Sequence, residues 1–150
     1  MSQVTACPVP PDSLLARFGG PESYRDCFVR EVAGNVTLSD FIERFYASAP
    51  FLPERIVLKL VGRRASRADA SRLARGETDV FGAWKVVERR EQEILLESKE
   101  TGTASWFAVE PLGEGTRLHF GSWVGTIGQS GWKAMELAHV WYSRALLAGV

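Results

Sequence analysis

Few side chains in this chain could move a proton or hold a metal. His119 and His139 are its only histidines, and Cys7 and Cys27 its only cysteines. A histidine acts as a general base only beside a positioned partner, and no spacing here sets one. His119 alternates outward from Leu118 and Phe120, which predicts a solvent-side or rim position, and His139 flanks an amphipathic stripe beside Glu136, one turn from Tyr142 and Ser143. The two cysteines form no Cys-x-x-Cys pair and the histidines no His-x-x-x-His pair, so the pattern predicts no metal site and no thioredoxin-like chemistry. Cys27 lies in an alternating apolar run and reads as a buried thiol rather than a nucleophile. Ser122 and Ser143 lack a nucleophile elbow, and the glycines from Gly113 to Gly131 form no phosphate loop between a strand and a helix. No catalytic residue and no cofactor is therefore assigned.

The chain instead offers apolar surface relieved by hydroxyls, the composition of a small-molecule pocket. Alternation in the second half directs Trp84, Val86, Ile94, Leu96, Ser98, Ser105, Phe107, Val109, Leu118, Phe120, Ser122 and Val124 to one face of a sheet. Lys85, Arg89, Glu97, Lys99 and Arg117 then go to the solvent side. The candidate ligand-binding set is Trp84, Ile94, Leu96, Phe107 and Phe120 from the sheet, Tyr46 from a helix, and Met135 and Tyr142 from the last helix, with Tyr142 and Ser122 giving orientation. Trp106, Trp123, Trp132 and Trp141 fall off the inner faces, in a satellite core or a dimer contact, with stacking on a ligand as the sharper alternative. An exposed patch around Trp106 and Trp123 would favour a homodimer.

The elements that must position these residues follow from turn and capping signals. Residues 1–21, rich in Pro and small polar residues, read as an N-terminal arm or short helix with Leu14, Leu15 and Phe18 as a docking patch, and residues 22–150 as one domain. A first strand starts at Tyr24 and is closed by Gly34-Asn35. Thr37 and Asp40 make a capping-box-like start for a helix carrying Phe41, Ile42, Phe45 and Tyr46. A second helix is predicted over Glu54 to Val61. A short polar one opens at Ser66 and stops at Gly76, with so small an apolar face that weak packing is expected.

Four strands, Ala83 to Arg89, Glu93 to Lys99, Thr103 to Pro111 and Thr116 to Gly125, are joined by connections short enough to require an antiparallel meander. Gly125 to Gly131 leads into a final helix, Trp132 to Ala148, with Met135, Ala138, Tyr142, Ala145 and Leu146 on the stripe that faces the sheet. The fold class is α+β.

Composition limits the partners. Hydrophobic residues make up 45% of the chain and charged ones 24%, with 18 basic and 18 acidic residues, so no overall field favours nucleic acid. The arginines from Arg63 to Arg75 are interrupted by Asp69 and precede Glu77 and Asp79, a solvated face rather than a phosphate site. No apolar run approaches the ~20 residues of a membrane span, and Met1 to Pro11 has no leader-like pattern. A cytoplasmic location is expected.

The order strand, two helices, meander and long last helix resembles the helix-grip fold of the START-like superfamily, also called SRPBCC, polyketide-cyclase-like or birch-pollen-allergen-like. The runs Tyr24-Arg25-Asp26-Cys27-Phe28, Phe45-Tyr46-Ala47-Ser48 and Leu60-Val61-Gly62 resemble small bacterial members of unknown function. So do Trp84, Trp106, Thr116 to Ser122 and Tyr142 to Leu147. The resemblance implies a curved antiparallel sheet wrapped around a long C-terminal helix and a small hydrophobic ligand held between them. It implies less often a cyclase or hydro-lyase on a polycyclic or lipid-like substrate, with Tyr142 or His139 moving a proton. A structural or interaction module with a filled groove is the third alternative. Only about five strands are convincing, fewer than fuller members have, so either the sheet is short or another strand lies between Arg63 and Phe81.

Overall fold

The computed structural model describes residues 3–20, 23–47, 67–82, 84–99 and 102–125, together with Arg144, Leu147, Ala148 and Val150. The predicted helix over Glu54 to Val61, the lead-in over residues 126–131 and most of the predicted final helix lie outside the described residues. With them lie Met135, His139, Tyr142, Trp132 and Trp141.

The frame is a curved, seven-stranded antiparallel sheet. Its strands are β1 (Thr5–Ala6), β2 (Tyr24–Ala33), β3 (Val80–Phe81), β4 (Trp84–Arg89), β5 (Glu93–Ser98), β6 (Thr103–Leu112) and β7 (Gly115–Val124), in the spatial order β1-β2-β7-β6-β5-β4-β3. The four predicted meander strands are present within a residue or two of their expected ends. The additional strands are β3, inside the segment where one was in question, and β1, in the N-terminal arm. Both have two residues and form the sheet edges, and such short edge strands offer little template for another chain to join.

Helix α1 (Leu14–Arg17) lies in the arm, α2 (Leu38–Ala47) follows β2, and α3 (Arg67–Ala74) precedes β3. The capping box at α2 is reciprocal. The Thr37 hydroxyl accepts from the Asp40 amide and the Asp40 carboxylate from the Thr37 amide, each at 3.1 Å. Gly76, at φ 75°, ends the turn after α3 in the left-handed conformation that a side chain would strain.

Weak packing of α3 is not observed. Ala70, Leu73 and Ala74 are buried in the main core, because three small or aliphatic residues on one face suffice for a helix that lies against α2. Of the predicted last helix, Arg144, Leu147 and Ala148 are helical. Leu147, one place off the expected stripe, is fully buried in that same core.

Register sorts the inner face of the sheet into cross-strand rows. Ile94, Phe107, Phe120 and Phe28 stand side by side on β5, β6, β7 and β2. The row on one side of them is Val109, Leu118 and Arg30. On the other side come Leu96, Ser105, Ser122 and Asp26, and then Ser98, Thr103, Val124 and Tyr24. Helices α2 and α3 bury the apolar rows. Phe41 and Phe45 meet Phe107 edge-on at 5.5 and 4.7 Å between ring centroids.

The outer face is covered as well, by the N-terminal segment. Leu14 and Leu15 of α1, with Cys7, Val9 and Phe18, pack on Cys27, Leu95, Ala104, Trp106, Ala108 and Trp123 as a second core. Gly121 makes room for this, since a Cβ there would sit 2.4 Å from Leu15 Cδ2 and 2.8 Å from the Asp26 carbonyl.

Candidate functional site

Of the sequence-predicted ligand set, Tyr46, Ile94, Leu96, Phe107 and Phe120 come together on the inner face, with Trp84 packed at their margin. They contact one another closely. Phe45 lies 4.7 Å from Phe120, Tyr46 4.3 Å from Phe81 and 5.7 Å from Phe107, and Phe107 5.2 Å from Phe120. This aromatic block is the floor of the inner face. Ser122 stands one row beyond it and is buried, as is Ser98. With Ser105, Thr103, Asp26 and Tyr24, whose hydroxyl donates to Asp26 Oδ2 at 3.0 Å, they make the two rows next to the aromatics predominantly polar. Apolar rings adjoining a set of fixed hydroxyls and a carboxylate can hold an amphiphilic small molecule by burial and orient it by hydrogen bonds.

Arg89 does not lie on the solvent side. The β4–β5 register shifts between Val86 and Glu88, so the extra residue Val87 turns outward and Arg89 comes opposite Ile94 on the inner face. Its guanidinium donates to the Leu73 and Ala74 carbonyls at 2.7 and 2.6 Å, satisfying the end of α3. Desolvation lowers its pKa.

Two other arginines do the same elsewhere. Arg25, on the outer face, donates to the carbonyls of Leu15, Phe18 and Gly20 around the end of α1. Arg30, on the inner face, donates to those of Leu147 and Ala148, the latter at 2.8 Å. Sequence reasoning missed this role. Only a basic residue interrupting an apolar row could have signalled it, at Arg30 and not at Arg89.

The outer face brings two thiols and an imidazole together. Pairing of β1 with β2 carries Cys7 to Cys27, 20 residues away in sequence. The Cys7 amide donates to the Cys27 carbonyl at 2.9 Å and the Cys7 thiol to Cys27 Sγ at 3.0 Å. His119, opposite Val29 on β7, projects from the same face. The two sulfurs and a ring nitrogen of His119 all lie within 4.8 Å of one another.

Burial raises the Cys27 pKa, and the neighbouring Cys7 and Asp26 raise it further, so alone it is a neutral, unreactive thiol. Burial also lowers the His119 pKa; Arg117 adds to the shift and Glu110 opposes it. Its Nδ1 is buried without a hydrogen-bond partner among the described residues.

An open groove of about 260 Å³ has His119 in its wall. Its other walls include Pro10, Ser13, Trp106 and the carboxylates of Asp12, Glu93 and Glu110. Glu93 Oε1 fixes one wall, accepting from Trp106 Nε1 at 2.9 Å and from the Leu14 amide at 2.8 Å. Trp106 and Trp123 lie in a satellite core with the chain's own N-terminal segment, one of the two positions expected for them, rather than in an exposed patch. Trp106 is buried, and Trp123 meets Phe18 edge-on at 4.8 Å.

No helix among the described residues is long and apolar enough to cross a membrane. No protein-family model matches the chain, and neither the curated proteins nor the solved structures contain a match to it.

Proposed function

We propose that this chain is a helix-grip domain of the START-like type that binds a small hydrophobic molecule against the inner face of its sheet, without catalysing a reaction. The observation that carries the reading is the gradation of rows. The Ile94–Phe107–Phe120–Phe28 row is followed directly by Leu96–Ser105–Ser122–Asp26 and then by Ser98–Thr103–Val124–Tyr24. Two adjacent rows that set several hydroxyls and a carboxylate beside an aromatic row combine apolar area with a few convergent polar groups, which is the composition of a small-molecule site. The ligand's apolar body would rest beside Phe120, Leu96 and Trp84, contributing about 25 cal/mol per Å² buried. Its polar group would face Ser105, Ser122 and Asp26. Met135 and Tyr142 belong to the same proposal from the predicted last helix.

Titration with 1-anilinonaphthalene-8-sulfonate tests this. We expect one dye per folded chain, displaced by lipid-like or polycyclic competitors. Ser122→Leu should abolish binding and Trp84→Ala should change the order of competitors, with Lys99→Ala as a neutral control. A folded chain that binds no dye, or Ser122→Leu binding as the parent does, would favour the interaction-module reading, to which the close aromatic packing already lends weight.

A further inference from the structure

We propose that Cys7, Cys27 and His119 form a zinc site on the face of the sheet opposite the inner-face rows. Two thiols and an imidazole within 4.8 Å of one another are soft-to-borderline donors in a number and type that Zn²⁺ accepts. Charge selects among thiophilic cations. On binding, both thiols release their protons to solvent, and two thiolates with a neutral imidazole together cancel the charge of a dication. A monovalent cation would leave a net negative charge among the apolar side chains of Leu14, Leu15, Leu95 and Trp106.

Geometry permits the site with a small movement. Tetrahedral Zn–S bonds place two sulfurs about 3.8 Å apart, against 3.0 Å here. Cys7 can provide the difference, since it follows a two-residue edge strand and is only partly buried, whereas Cys27 and His119 are carried by ten-residue strands. The unpartnered Nδ1 supplies a buried lone pair or proton with nothing else to bond among the described residues. From solvent, the groove lined by His119, Asp12, Glu93 and Glu110 reaches the imidazole end of the cluster, and a water or small ligand would complete four-coordination.

The test uses the full, reduced chain. Zn²⁺ in competition with a chromophoric chelator should bind one per chain, and Co²⁺ should develop a thiolate-to-cobalt charge-transfer band. Cys7→Ser and His119→Gln should each weaken Zn²⁺ by more than about 100-fold, beyond the 10–100-fold cost of losing a mere supporting partner. Circular dichroism of the same variants checks that they fold. The proposal is overturned if cobalt binds without a thiolate band, if either folded variant holds zinc as the parent does, or if the thiols oxidise to a disulfide and take up no metal when reduced.

Discussion

Phe107 and Trp106 are neighbours on β6 that point to opposite faces, and they belong to two different kinds of core. Phe107 is gripped by rings from α2 and by its neighbours on the sheet, elements joined through the middle of the chain. Trp106 is covered by the first twenty residues, which are held by one edge-strand pairing, the Leu14 amide bond to Glu93, and Arg25. The inner core therefore unites the fold. The outer core fastens a strap to it, and the strap in turn brings Cys7 to its partners.

The inner core should respond most strongly to truncation. Phe107→Ala should cost about 3–5 kcal/mol, read as a shifted urea midpoint with all probes moving together. Leu15→Ala, also a buried truncation, should cost about 2–5 kcal/mol at most but act locally. Hydrogen exchange should accelerate at Cys7 and Ala16 while Leu95 and Phe107 stay protected, and uniform acceleration would merge the two cores into one.

Arg89→Met keeps most of the stem but removes two charged hydrogen bonds to the end of α3, for a loss of about 1.5–3 kcal/mol. A loss confined to a few tenths would mean that water replaces the guanidinium there.

The smallest effect concerns the start of α2. Thr37 holds the Asp40 carboxyl below its usual range, chiefly through its backbone amide, so this contribution is fully present above about pH 4 and is lost as pH falls through the lowered value. In Asp40→Asn, which removes the titrating carboxyl, that part of the acid dependence should disappear, whereas Thr37→Ala, which should cost about 1 kcal/mol, keeps the backbone amide and should only reduce it. An unchanged acid limb would assign it elsewhere.

The meander was legible because its strands alternate cleanly between turn signals, and the inward set from Trp84 to Val124 follows from parity alone. Arg89 was not, because one bulge residue at Val87 reverses parity for everything after it in β4. The Cys7–Cys27 approach was equally hidden. It depends on a two-residue strand held by its pairing with β2, by Val4 on the inner core and by the docking of Leu14, Leu15 and Val9 on the outer one. Outward apolar residues such as Leu95, Ala104 and Trp106 carried the trace of that docking, since a solvated face would not collect them.

A ligand received by the polar rows of the inner face should leave the strap-covered side of the sheet undisturbed. Amide chemical shifts of the isotope-labelled chain, followed during addition of 1-anilinonaphthalene-8-sulfonate, test it most directly. Movement is expected at Asp26, Ser98, Ser105 and Ser122, with Leu14, Glu93 and Ala104 unmoved. Movement confined to the strap and its contacts, or none at any residue, would contradict it.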